Sequence, residues 1–150
     1  MTTENWLTLL LTILGLYLGP KIAVHLALKQ FHQQKLWEKK VEIYQQLIRD
    51  MSHLYSHFSD AEMSELMGYT AETGSPEIKE AQRTLERHSN AGGFIISPIA
   101  EKAIRNALTA LSNPDYESPE VAYRAIVVAL KDNLPILKEC ARQDCNISTP

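Results

Sequence analysis

Thiols are scarce in this chain: only Cys140 and Cys145 occur in 150 residues, spaced C-x4-C, with no second pair. That excludes a disulfide-stapled scaffold and a four-ligand zinc module, and predicts two free thiols. Glycine numbers six, and nowhere does it build a phosphate loop or a dinucleotide fingerprint. The patterns G-x-S-x-G and H-E-x-x-H are missing too. The sequence therefore predicts no catalytic residue, no cofactor and no metal centre, and the expected protein is not an enzyme. No segment shows convincing strand alternation, which points to an all-α fold.

Basic residues are absent before Lys21, and residues 6–28 read WLTLLLTILGLYLGPKIAVHLAL. A helix rises ~1.5 Å per residue, so this segment reaches across a ~30 Å hydrocarbon layer with a little tilt. Trp6 is expected as the outer headgroup anchor. Lys21 interrupts the apolar run, and its stem is expected to carry the ammonium to the nearby interface. A second reading breaks the segment at Gly19-Pro20 into a hairpin or interfacial helix. Lys21, Lys29, Lys35, Lys39 and Lys40 all fall within the segment or soon after it. Flanking lysines stay inside, so residues 1–5 are expected outside and the rest in the cytoplasm, as a single pass through the cytoplasmic (inner) membrane. Residues 1–40 carry those five lysines against Glu4 and Glu38, a net of +3; residues 41–150 carry ten basic and sixteen acidic side chains, a net of −6. Membrane lipid suits the basic collar, while the acidic remainder excludes general nucleic-acid binding.

Beyond the span the apolar pattern takes helix period. Trp37, Val41, Tyr44, Ile48, Met51, Tyr55 and Phe58 step by four and three, with Leu47 and Leu54 widening the stripe at one edge. Aromatics on this seam favour the thick interior of a bundle over a two-stranded coiled coil. Neither glycine nor proline interrupts residues 21–67, so the span is expected to continue into a long amphipathic helix over 29–67. Residues 68–74 read as a turn-rich linker. Ser75-Pro76, Ser97-Pro98 and Ser118-Pro119 each place serine at an N-cap and proline at the first helical position. Helices are predicted at about 76–90, 98–112 and 119–145, with a kink or restart at Pro135. Their expected inner residues are Ile78, Ala81 and Leu85; then Ala100, Ala103, Ile104, Leu108 and Leu111; then Val121, Ala125, Ile126, Val128 and Ala129. Residues 68–145 thus complete an antiparallel cytoplasmic bundle, and 146–150 form a tail.

Three constellations carry chemistry. Gly15 and Gly19, four apart beside Thr8, Thr12, Ala23 and Ala27, form a small-residue flank where two spans can approach, so a homo-oligomer is expected. Lys21, His25, Lys29 and His32 take the opposite flank. Lys79, Arg83 and Arg87, with Lys102 and Arg105 on the next helix, are the main basic concentration in an acidic domain. Beside the Gly92-Gly93 turn they are a candidate site for an anionic small-molecule ligand; pairs such as Glu80 with Arg83 offer a solvated-face alternative. His53 and His57 sit four apart with Asp50 and Asp60 on a face expected to meet solvent.

Residues 5–58, with Trp37-Glu38-Lys39-Lys40 followed by Tyr44, resemble small bacterial membrane proteins with one amino-terminal span, a basic collar and a helix. The layout is also similar to that of membrane-anchored accessory effectors of bacterial defence. The resemblance implies location. The expected protein self-associates in the membrane and scaffolds or signals through its helical domain. One alternative is an effector gated by a nucleotide or cyclic oligonucleotide, and another is an enzyme of unknown chemistry at the cytoplasmic face.

Overall fold

A computed structural model describes residues 3–67, 75–91, 95–113 and 116–145, with side chains described there except at 3–11, 13–15, 19 and 91. Among the described residues four helices follow in order: α1 (Thr3–Leu66), α2 (Pro76–Ala91), α3 (Pro98–Ser112) and α4 (Pro119–Asp144). The described residues include no strand. The chain divides into two compact units, Met1–Lys39 and Lys40–Pro150, with α1 contributing to both.

Each later helix starts where the serine-proline pairs put it. Ser97 holds an extended backbone and its hydroxyl accepts from Ala100 N at 3.4 Å. Ser118 does the same for Val121 N at 3.3 Å, and Ser75 for Ile78 N at 3.3 Å. Proline at the following position gives up only an amide that no helical carbonyl awaits. A Ser118→Ala substitution, which removes one such acceptor, should cost about 1 kcal/mol in thermal or urea unfolding. Pro135 does not restart α4, which runs through it unbroken. Packing along the rest of the helix outweighs the one backbone bond that proline removes. Likewise α1 continues through Pro20, with no break at Gly19-Pro20.

Among the described residues the buried core lies in the second unit. Its fully enclosed large side chains are Tyr44, Leu47, Met51, Leu54, Leu85, Ile104, Leu130 and Leu137. Four of the eight come from α1, so this helix is the wall on which the others assemble. Helix α3 packs on both α2 and α4. Tyr44 bonds to Asp144 at the end of α4, while Glu62, eighteen residues further along α1, pairs with Arg124 near the start of α4 at 3.4 Å. These two crossings make the second half of α1 antiparallel to α4. Asn133 is the buried polar residue of α4, and its amide donates to Ala129 O at 2.8 Å and accepts from Asn106 Nδ2 at 3.4 Å.

Two expected faces are corrected. On α1 the buried positions are Ile43, Tyr44, Leu47, Met51, Leu54, Phe58 and Ala61, whereas Val41, Ile48 and Tyr55 are only partly covered and Trp37 is 48% exposed. At ~100° per residue the buried face is rotated by roughly 70° from the expected stripe, so Leu47 and Leu54 are its middle and not its edge. On α4 the inner face is Tyr123, Ile126, Val127, Leu130, Leu137, Cys140 and Ala141, while Val121 and Val128 point outward. In both helices the i, i+3, i+4, i+7 geometry buries the positions nearest the neighbouring helices, whichever apolar residues lie beside them.

Among the described residues, no helix is long and apolar enough to cross a membrane. The run 6–18 falls mostly on residues whose side chains lie outside the description, as do Gly15 and Gly19. In the first unit every described side chain is exposed or half-buried.

Candidate functional site

A polar cluster of the second unit joins three helices. The Tyr44 hydroxyl, buried on α1, donates to Asp144 Oδ2 at the end of α4. Ser97 N, at the cap of α3, donates to both the Tyr44 hydroxyl at 3.2 Å and Asp144 Oδ2 at 3.1 Å. Lys40 Nζ stands 3.9 Å from the same carboxylate oxygen. One carboxylate therefore collects a phenol, a backbone amide and an ammonium, which holds its negative charge in place. Burial, reinforced by the bond to Asp144, pushes the Tyr44 phenol up to about 12. At neutral pH it stays protonated and committed as a donor. The neighbouring Cys145 thiol is also pushed up, by burial first, and both cysteines are buried and outside any disulfide. A high thiol pKa works against nucleophilic chemistry. The cluster fastens helices and leaves no member poised to react. Sequence reasoning found Tyr44 as an apolar-face residue and Ser97 as a cap. It missed Asp144, a hundred residues from Tyr44, which carries no local signal.

The candidate anion residues are spread along exposed surface. Arg83 and Arg87 both approach Glu80, at 3.8 and 3.9 Å, and Arg105 pairs with Glu101 one turn away. Lys79 and Lys102 are exposed. Each of the three guanidinium groups therefore has an acid of its own helix at hand, and an incoming phosphate has to compete with Glu80 or Glu101. Pairs this exposed contribute little to stability. The Gly92-Gly93 turn lies outside the described residues.

The His53 and His57 face is corrected in part. His53 is exposed, but His57 is half-buried, with Nε2 enclosed and unpartnered and its ring edge-on to Phe58 at 5.3 Å. Asp50 is similarly half-buried, with Oδ2 enclosed and unpartnered. The roughly 70° rotation of the core face explains both, since it brings this flank to the core border. Among the described residues no group of three His, Cys, Asp or Glu is placed to hold a metal. Burial raises the Asp50 carboxyl against the opposing fields of Arg49, His53 and His88. A carboxyl raised in the folded state supports stability below its unfolded value and loses that support as pH rises through the folded value. Asp50→Asn should therefore raise the melting temperature at pH 7, with the gain shrinking as the pH is lowered into the carboxyl range.

In the first unit Lys21 departs from expectation. Its ammonium turns back one helical turn, donating to the Tyr17 hydroxyl at 3.0 Å and lying 4.4 Å from the centroid of that ring. Helical side chains lean toward the amino terminus, and the ring face attracts the cation. An open groove of about 390 Å³ runs beside it, lined by Pro20, Lys21, Val24, His25 and Leu28. A second groove, of about 360 Å³, lies on α3 and α4 between Ile99, Pro135, Ile136, Glu139, Cys140 and Gln143.

No family model, curated protein or solved structure matches this chain.

Proposed function

We propose that the protein is a membrane-anchored, non-enzymatic helical protein that self-associates through its first helix and scaffolds or signals through the bundle of the second unit. One observation carries this reading. Between Leu16 and Phe31, α1 exposes Leu16, Tyr17, Leu18, Ile22, Val24, Leu26, Leu28 and Phe31, each at least 43% open to solvent. At ~100° per residue these side chains point to every side of the helix, not to one stripe. Apolar surface of this extent calls for lipid or another chain to cover it. The run 6–18 extends the same character toward the amino terminus in the sequence.

The lysine collar supports an orientation with residues 1–5 outside and the bundle in the cytoplasm. Gly15 and Gly19 support close approach of two copies. The Tyr44, Ser97 and Asp144 fastening supports a binding or signalling role for the bundle, because these polar groups are spent on holding helices together.

Fractionation tests the anchor: the full chain should stay with membranes after alkaline carbonate extraction, and full release by carbonate would end the reading. Light scattering of the detergent-solubilised chain tests association. An oligomer that Gly15→Leu converts to monomer is expected, whereas a strict monomer from the outset removes the association step. In intact cells, Thr2→Cys should react with an impermeant maleimide and Ser148→Cys should not. The reverse pattern inverts the topology.

A further inference from the structure

We propose that the end of α1 and the start of α4 form a docking face for a basic amphipathic helix of a partner protein. This deepens the scaffolding reading and rests on the part of it that concerns the bundle. Met63, Leu66 and Met67 lie three and four residues apart, so they share one flank of α1, and each is at least 55% exposed. On α4, Val121 is 47% exposed and stands one turn before Arg124. Arg124 reaches Glu62 on α1 at 3.4 Å and Glu120 on its own helix at 3.1 Å. That double pairing ties the two helix ends together, so the four apolar side chains gather at one end of the bundle, around the bridge. Apolar surface left open in one place calls for a cover. Methionine, flexible and polarizable, moulds itself to varied apolar shapes.

Charge selects the occupant. Residues 60–67 and 117–124 hold Asp60, Glu62, Glu65, Glu117 and Glu120 against Arg124. Their net of −4 is most of the −6 carried by residues 41–150. Arg124 is already divided between two of these acids. The last turn of α1 contains no basic residue, so the negative pole of its dipole adds to the same field. An anionic lipid surface or a nucleic acid is repelled here. A helix with lysine or arginine beside an apolar stripe fits on both counts. Its cations meet the carboxylates while its stripe covers Met63, Leu66 and Met67, the ordinary way in which an amphipathic helix seats itself.

The test uses the full chain in phosphatidylcholine nanodiscs, with its four methionines isotope-labelled at the methyl group. The probe is a synthetic amphipathic helix of leucine and lysine, set against a counterpart with glutamate in place of lysine. By nuclear magnetic resonance the lysine helix should shift the Met63 and Met67 methyls and leave Met51, which has no exposed surface, unmoved. The glutamate helix should shift none of them. Affinity is read from the fluorescence anisotropy of the labelled probe, corrected with empty nanodiscs. Met63→Gln combined with Met67→Gln should weaken the lysine helix about tenfold, as loss of central apolar contacts does. Glu65→Gln combined with Glu117→Gln should weaken it about threefold and flatten its salt dependence. Far-ultraviolet circular dichroism confirms that each variant keeps its helix content. Unmoved Met63 and Met67 methyls overturn the proposal, as do equal shifts with both probes or unchanged affinity in both double variants. A change of oligomeric state in the methionine variant overturns it in favour of contact between copies of this chain. Release from membranes by carbonate is a separate failure: it removes the anchor, while the same measurement still stands in plain buffer.

Discussion

Leu54→Ala should lower the unfolding free energy of the bundle by about 2–5 kcal/mol, the range for emptying an enclosed leucine site. Leu54 has no exposed surface and lies mid-face on α1 with Leu47 and Met51, also fully enclosed. Truncation removes the transfer free energy of the lost carbons and leaves a cavity that the surrounding helices can fill only in part. In a unit of this size that is a drop of roughly 10 °C or more in the melting temperature of the full chain. The comparison that gives the result its meaning is Trp37→Ala with Val128→Ala. Both residues look inward by periodicity, yet they are 48% and 50% exposed. Neither should cost more than about 1 kcal/mol. A loss at Trp37 equal to that at Leu54 would restore the stripe drawn from spacing alone and reject the rotated face.

Why the sequence misplaced that face is a physical matter. Trp37, Val41, Tyr44, Ile48, Met51, Tyr55 and Phe58 form an unbroken heptad, and a heptad records that one side of a helix is apolar. It does not record where neighbours stand. Ile43, Leu47, Leu54 and Ala61 form a parallel row beside it, and the burial of Ala61 and Ile43 shows which row the partners cover. Helix starts were far more legible, because a serine-proline pair acts within its own turn: α2, α3 and α4 all begin at their prolines. Leu85 and Ile104 were also read correctly as inward, Leu85 one turn after the buried Ala81 and Ile104 among Ala100, Ala103 and Ala107. The site residues divide along the same line. Pairing of Arg83 with Glu80 is a one-turn event that spacing anticipates. The meeting of Tyr44, Ser97 and Asp144 depends on three helices arriving together, and no local pattern encodes it.

That meeting point supplies the other large effect, on the alkaline side. An unfolded tyrosine titrates near 10, and in the folded chain burial and the Asp144 bond push Tyr44 up to about 12. The folded state therefore holds this proton more tightly than the unfolded state does. Its contribution is fully present below pH ~10 and is lost as pH rises from ~10 through ~12, amounting to about 2–3 kcal/mol. Urea titrations of the full chain at intervals across that window should show stability falling with a slope that Tyr44→Phe abolishes. The phenylalanine variant keeps the ring in the core and gives up the bond to Asp144 and the one accepted from Ser97 N, so at pH 7 it should cost about 1–2 kcal/mol. Asp144→Ala should cost at least as much at pH 7, about 1–3 kcal/mol, since it takes away the acceptor that Tyr44, Ser97 N and Lys40 share. Combining the two substitutions separates a shared lock from independent contributions: if the groups act together, the double variant loses less than the sum of the single ones. Strict additivity, or an alkaline slope that survives in Tyr44→Phe, would reduce the three-helix junction to ordinary packing around a buried ring.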